Sequence, residues 1–260
     1  MILRLQHIGT AHRSHASAAE RLRQVGLEPA ELRTDQGRGF QLDSRKLLGN
    51  ECWLHVVHNW NPEARVCQYL RRQGEGLEHI AVETDDIEGA VARVKESAPI
   101  FEDRIFHAAD GFEAFVYPED ACGFTVELIQ PHASSWNWPD PPPERVSPTL
   151  SVTHLAEVVA GAADPEAAGR RFEELFDVGF EMDGASARVG FRNDCVLRFQ
   201  AGQPGLRSLM FETADLDADS RALEEAGTPF EAGSPALRRE LRIAAGVAGF
   251  EVVVRAADSA

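Results

Sequence analysis

The sequence predicts an α+β fold assembled from four βαβββ units, two on each side of a proline-rich linker. Three observations carry that prediction. A strand–helix–strand pattern recurs four times, and short strands with turn signals follow each helix. Between the second and third repeats, SSWNWPDPPPERVSP at residues 134–148 holds five prolines and no hydrophobic periodicity. Proline neither continues a helix nor donates to a ladder, so this stretch reads as an extended linker. It divides the chain into domains at residues 1–133 and 149–260. One βαβββ unit cannot bury its sheet face alone, so the repeats are expected to pair.

The first unit opens in LQHIGTAHRSHASAAERLRQVGLEPAEL, and the second in LEHIAVETDDIEGAVARVKESAPIFEDR. In the second, Ile87, Val91 and Val94 recur at helical spacing. Asp85 or Asp86 suits the N-cap position of that helix. The strands that close the unit lie in GFEAFVYPEDACGFTVELIQ. The third unit opens in VTHLAEVVAGAADPEAAGRRFEELFDVGFEM and the fourth in LRSLMFETADLDADSRALEEAGTPFEAG, where Leu216, Leu223 and Ala226 mark the apolar side of the helix.

Composition bounds the function. The chain has 260 residues, 43% hydrophobic and 26% charged, an ordinary globular mix. Its net charge of −16 repels phosphate backbones and anionic lipid, so a small molecule is the expected partner, not nucleic acid or a membrane. No apolar run reaches the roughly 18 residues a spanning helix needs. The opening MILRLQHIGT lacks the apolar run of a signal peptide. Cys52, Cys67, Cys122 and Cys195 are scattered without a CxxC pair, which predicts free thiols in a reducing cytoplasm.

The histidines carry the candidate chemistry. Read alone, His79 is a strand histidine between apolar neighbours, which suits a core position with a hydrogen bond. His12, His15 and His132 read as solvated surface, with His12 and His15 in HRSH able to hold adventitious metal on a helix face.

Four βαβββ units, with QHIG opening the first and LEHIAVETDDI the second, resemble the vicinal oxygen chelate superfamily. Its members include glyoxalase I, methylmalonyl-CoA epimerase, extradiol dioxygenases and antibiotic resistance proteins. The resemblance spans the chain at the level of fold. Through RRQGEGLEHIAVETDDIEGAVARVK and YPEDACGFTVELIQ it is closest to methylmalonyl-CoA epimerase over residues 1–130. It implies two glyoxalase-like domains with cupped mixed sheets and one divalent metal in a cup. Carried over position by position, the ligands fall on His7 in QHIG, His79 in LEHI and Glu127 in FTVELI. An ungapped count back from EGLEH puts a fourth on His55 in WLHVVH. His58, three residues on, falls on the opposite strand face. Three imidazoles and a carboxylate suit Fe, Co, Ni, Zn or Mn and leave positions open for substrate.

The second half departs from that pattern. Ser208 stands where His79 does, Val253 where Glu127 does, and CVLRFQ offers Arg198 and Gln200, of which the arginine stays protonated. His154 alone remains, so residues 149–260 are expected to be a metal-free copy. Such a copy packs against the first half, walls the site or forms a homodimer face.

The resemblance implies metal-assisted proton transfer next to a carbonyl, an isomerase or lyase acting on a small carbonyl or acyl-CoA substrate. That chemistry needs a general base. The position of the epimerase carboxylate falls on Phe40 or Gln41, and a shifted register makes Asp43 the candidate. The alternative is an Fe(II)-dependent extradiol-type dioxygenase, with His7, His79 and Glu127 as a two-histidine, one-carboxylate triad. His107, Tyr117, Asp120, Gly123 and Glu127 then follow the signature order, with the His107-to-Tyr117 spacing one residue longer and Ala121 in place of the usual proline. His55 would serve there as an acid or base. A third reading is a resistance-type binding protein that uses the cup without catalysis.

Overall fold

The structure is a computed structural model. It describes every residue except 30, 36–40, 109–110, 133–146, 148, 234–239 and 258–260, and for 31–35, 41–44 and 247 it describes the backbone alone. Nearly all of the 134–148 linker therefore lies outside the described residues.

The first two repeats comprise β1 (Ile2–Ala11), α1 (His15–Gln24), β2 (Glu31–Asp35), β3 (Gln41–Leu47), β4 (Trp53–Asn59), α2 (Arg65–Gln73), β5 (Gly76–Thr84), α3 (Ile87–Lys95), β6 (Phe106–His107), β7 (Gly111–Val116) and β8 (Thr125–Pro131). The last two comprise β9 (Val152–Ala162), α4 (Pro165–Phe176), β10 (Phe180–Asp183), β11 (Ser186–Gly190), β12 (Val196–Ala201), β13 (Gly205–Thr213), α5 (Leu216–Glu225), β14 (Glu231–Ala232), β15 (Glu240–Ile243), α6 (Ala245–Ala248) and β16 (Glu251–Ala256). They form two open, mixed, eight-stranded sheets, ordered β2-β3-β4-β1-β5-β8-β7-β6 and β10-β11-β12-β9-β13-β16-β15-β14. In the first sheet β5 pairs with β8 in parallel, and in the second β13 pairs with β16 in parallel.

Local chemistry sets the helices. Asp86, not Asp85, caps α3, with its carboxylate accepting from Gly89 N–H at 2.9 Å, and Ile87, Val91 and Val94 are buried. Asp215 caps α5 in the same way through Ala218 N–H. In α5, Leu223 is buried, but Ala226 is exposed at the C-cap, against expectation. Asp219 takes the inner face instead, because its carboxylate accepts the Ser151 N–H at 2.5 Å. The sequence reading missed α2, whose Val66 and Leu70, one helical turn apart, pack with Tyr69 against Ala11 and Val57.

By density of contacts the chain divides into two compact bodies. The first holds Met1–Ile8, Glu78–Trp138 and Val158–Arg207. In it α3 packs against α4, and Arg171 donates to the backbone carbonyls of Ser97 (3.0 Å) and Asp120 (2.9 Å). Phe124 stacks on Phe199, which also meets Phe172. The second body holds Gly9–Leu77, Pro139–Glu157 and Ser208–Ala260. There α1 packs against α6, and Thr228 donates through Oγ1 to the Gln24 carbonyl at 3.2 Å.

His12 corrects an expectation. It lies just past β1 and ahead of α1, not on a helix face, and it is fully buried. Its backbone N–H donates to the Val57 carbonyl at 3.0 Å, and its ring Nδ1 lies 3.3 Å from Arg21 Nη2.

Candidate metal centre

Three of the four carried-over ligands meet in the first body. His7 on β1, His79 on β5 and Glu127 on β8 are each at most 4% exposed, and their ligand atoms all lie within 4.8 Å of one another. His7 Nε2 is 3.0 Å from His79 Nε2. Glu127 Oε2 is 3.4 Å from the first and 3.3 Å from the second. The two rings stand nearly perpendicular, at 86°. Among the described residues this is the one group of three or more His, Cys, Asp or Glu side chains so arranged.

Register explains the convergence. In the parallel pairing of β5 with β8, His79 lies opposite Thr125 and Ala81 opposite Glu127. Side chains alternate along a strand and registered partners share a face, so His79 and Glu127 project from the same side one step apart.

The imidazoles are oriented from behind. His7 Nδ1 lies against Gln6 Oε1, and His79 Nδ1 lies 2.5 Å from Glu78 Oε2. Glu78 in turn accepts from Thr125 Oγ1 at 3.4 Å. With both Nδ1 atoms donating, both Nε2 lone pairs and the Glu127 carboxylate converge on one point as acceptors without a donor among them. A cation suits that point, and two imidazoles with one carboxylate suit a borderline divalent ion. The residues present therefore fit a metal. Burial alone would raise the Glu127 carboxyl; with the two imidazoles protonated, their charge and hydrogen bonds outweigh it and hold Glu127 well below the usual carboxylate range, and a bound cation would stand in place of those protons.

Gln6 and Glu78 were missed in the sequence. Their signal was the same dipeptide pattern in LQHI and LEHI, a polar side chain directly before each histidine. Arg4, Glu83 and Glu113 were missed as well. Glu83 and Glu113 both lie opposite Ile129 in the register, one pleat beyond Glu127 and on its face. Both are buried, and Arg4 Nε donates to Glu83 Oε2 at 2.9 Å.

None of the remaining described candidates belongs to that group. His55 is buried on β4 in the second body, where its carbonyl accepts from Thr10 Oγ1 at 2.9 Å. His58 is half-buried, its Nδ1 2.9 Å from the His12 carbonyl. Asp43 is on β3 opposite Val57, and its side chain lies outside the described residues. Phe40 lies outside them entirely. His107 is exposed on the edge strand β6, opposite Phe112. Phe112 and Phe115 have opposite phase, and Phe115 faces Glu127, so His107 is on the far side of the sheet from the triad. Tyr117 follows β7 half-buried, its ring centroid 5.6 Å from that of Phe101.

The second sheet repeats the register without the ligands. Ser208 lies opposite Glu251 and Met210 opposite Val253, as His79 does Thr125 and Ala81 does Glu127. Ser208 and Val253 thus occupy the positions of His79 and Glu127. His154 Nε2 sits 3.6 Å from Glu212 Oε2, in a charged group that Arg255 and Glu157 complete.

A family model described as the Glyoxalase/Bleomycin resistance protein/Dioxygenase superfamily matches residues 5–128. A comparison with curated proteins finds no match. Among solved structures, a 4-hydroxymandelate synthase variant from Streptomyces coelicolor is 18% identical with a TM-score of 0.68, covering 98% of this chain and 93% of that one. A xylose isomerase-like TIM barrel/4-hydroxyphenylpyruvate dioxygenase fusion protein is 12% identical with a TM-score of 0.69, covering 100% of this chain and 50% of that one. Methylmalonyl-CoA epimerase in complex with methylmalonyl-CoA and NH4+ is 22% identical with a TM-score of 0.45, covering 53% of this chain and 100% of that one. At these identities the first two likenesses are of fold. Among the described residues, no helix is long and apolar enough to cross a membrane.

Proposed function

We propose that this chain, which through residues 5–128 belongs to the Glyoxalase/Bleomycin resistance protein/Dioxygenase superfamily, is a divalent-metal-dependent enzyme acting on a small molecule. The observation that carries the reading is the buried convergence of His7 Nε2, His79 Nε2 and Glu127 Oε2. Two histidines and one carboxylate form the ligand set of non-haem Fe(II) oxygenases, which leaves positions for substrate and O₂. An oxygen-dependent oxidation is therefore the reaction class this geometry supports best. The likeness of fold to a 4-hydroxymandelate synthase over nearly the whole chain is in keeping with it.

When bound, the ion would supply Lewis-acid and redox chemistry to two oxygens of a chelating substrate. The chain's own residues do the rest. Gln6 and Glu78 hold the two rings so that Nε2 points inward. Burial excludes bulk water from the triad. Glu83, one pleat beyond Glu127 and paired with Arg4, would orient polar groups of the substrate. The division into a ligand-bearing domain at 1–133 and a ligand-free copy at 149–260 belongs to the same proposal, supported by Ser208 and Val253 at the equivalent register positions.

One observation favours a second reading, proton transfer next to a carbonyl. Glu113 is a buried carboxylate on the face of Glu127, where a general base is needed.

The test is metal analysis of purified wild type against His79→Ala, followed by anaerobic Fe(II) loading and oxygen uptake with catechols and aromatic 2-oxo acids. One ion per chain that is lost in the variant, with uptake lost in His7→Ala, supports the oxygenase. Equal substoichiometric metal in both proteins sinks the metal reading. No uptake, with Glu113-dependent deuterium wash-in at the carbon next to a carbonyl, favours proton transfer.

A further inference from the structure

In the first body the turn between β11 and β12 reaches β1. Asn193 Nδ2 donates to the Leu5 carbonyl at 3.0 Å, and the Leu5 N–H donates to Asn193 Oδ1 at 3.3 Å. One side-chain amide thus serves both backbone polar groups of a single residue, as a neighbouring strand would. Leu5 is fully buried, so its backbone has no bulk water to turn to. Asparagine fits because its amide carries a donor and an acceptor side by side.

Leu5 stands two residues ahead of His7 on the same strand. The matching residue of the second unit, Leu77, stands two ahead of His79, and its carbonyl accepts from Tyr69 Oη at 2.8 Å. Both ligand strands are therefore tied by a side chain at the same distance before the ligand.

The turn itself is built to hold its shape. Phe191 N–H donates to the Cys195 carbonyl at 3.0 Å, Asp194 N–H to the Phe191 carbonyl at 3.2 Å, and Asp194 takes φ +59°. Its sequence, FRNDC, matches LGNEC at residues 48–52 in type at four of five positions, with Arg192 where the other has Gly49. There Leu48 N–H donates to the Cys52 carbonyl at 2.8 Å, and the Leu48 carbonyl accepts from Leu155 N–H on β9 at 2.9 Å. Each turn bonds to the first strand of the other half of the chain.

We propose that Asn193 is a positioning residue for the metal centre. It fixes β1 ahead of His7 and so aims His7 Nε2 at His79 and Glu127. The C-terminal half, which carries no matching ligands, then contributes to the centre through this turn. The inference rests on the triad being a metal site.

The test compares Asn193→Asp, which keeps the shape but sets an acceptor against the Leu5 carbonyl, and Asn193→Ala, with Asn193→Ser in reserve if either fails to fold. Gly169→Ala serves as a control, since its Cβ would meet Phe180 Cδ2 at 2.6 Å and disturbs the same body away from β1. Two readouts are taken: amide exchange at Leu5 without metal, and the affinity and visible spectrum of bound Co(II). The Asn193 variants should exchange Leu5 faster and bind Co(II) about 10-fold more weakly with shifted bands, as loss of supporting partners does at metal sites. Gly169→Ala should lower the unfolding midpoint, speed Leu5 exchange no more than that loss of stability accounts for, and leave the Co(II) affinity and spectrum unchanged. Wild-type Co(II) affinity and spectrum in Asn193→Asp would overturn the proposal, and unchanged Leu5 exchange would overturn the clamp. A wild type that takes up no Co(II) removes the metal reading itself, and with it the positioning role, whatever the amide shows.

Discussion

His7 and His79 face each other through Nε2 atoms 3.0 Å apart, while each ring turns Nδ1 to the side chain just before it in sequence, Gln6 and Glu78. That leaves the inner side of both rings for a cation. Bound metal should therefore stabilise the fold by linkage. At a free concentration about 100 times Kd the gain is about 2.7 kcal/mol, read as a raised Tm that a chelator reverses. His7→Ala and His79→Ala should show no such rise. A rise of equal size in either variant would place the ion elsewhere.

Glu78 acts on the centre through His79. Glu78→Gln keeps the size but removes the charge that holds His79 Nδ1–H. Metal affinity should fall by about 10- to 100-fold, measured by competition with a chromophoric chelator. An unchanged affinity would mean that the charge on Glu78 does not contribute to the centre.

His12 gives a pH dependence. Burial pushes its imidazole down from 6.5 to about 4, with Glu75 opposing and Arg21, His15 and His58 adding to the fall. Its Nε2 has no hydrogen-bond partner among the described residues. The unfolded chain binds this proton more readily than the folded one. Stability is then fully present above about pH 6.5 and is lost as pH falls towards 4, by roughly 2 kcal/mol between pH 7.5 and 5. Urea unfolding should show that slope in wild type and a flatter one in His12→Asn.

The thiols should differ in reactivity. All four cysteines are free; Cys67 is half-buried, and Cys122 is buried with its thiol pushed up to about 12 by desolvation. The thiolate is the reactive form. An alkylating reagent at pH 8 should label Cys67 first and leave Cys122 unlabelled until denaturant is added, as peptide mass mapping would read. Early labelling of Cys122 would mean that its segment lifts away from α4, where its Sγ donates to the Ala168 carbonyl, in the native protein.

The four-unit architecture was legible because strand and helix periods are local. Ile87, Val91 and Val94 announce α3 in any context, and their burial follows. The choice of Asp86 over Asp85 as cap was not legible, since it depends on which residue leaves the helical φ/ψ region. Helix α2 was hidden because Val66 and Leu70 are too few to make a stripe, and the fold completes their face with Ala11 and Val57 from other strands. His12 was misplaced for the same reason, its backbone partner being Val57 on β4.

For the candidate site, residue type and phase along each strand were written in the sequence, and the comparison of Ser208 with His79 already separated the two halves. The sequence by itself determined that His7, His79 and Glu127 are strand residues able to face one side. Only the tertiary structure decided that they meet, that Gln6 and Glu78 orient the rings, and that Asn193 holds the strand of His7. The physical reason is that spacing constrains neighbours along one element, whereas convergence depends on sheet order and register. Placing β5 between β1 and β8 brings together side chains that the chain keeps far apart.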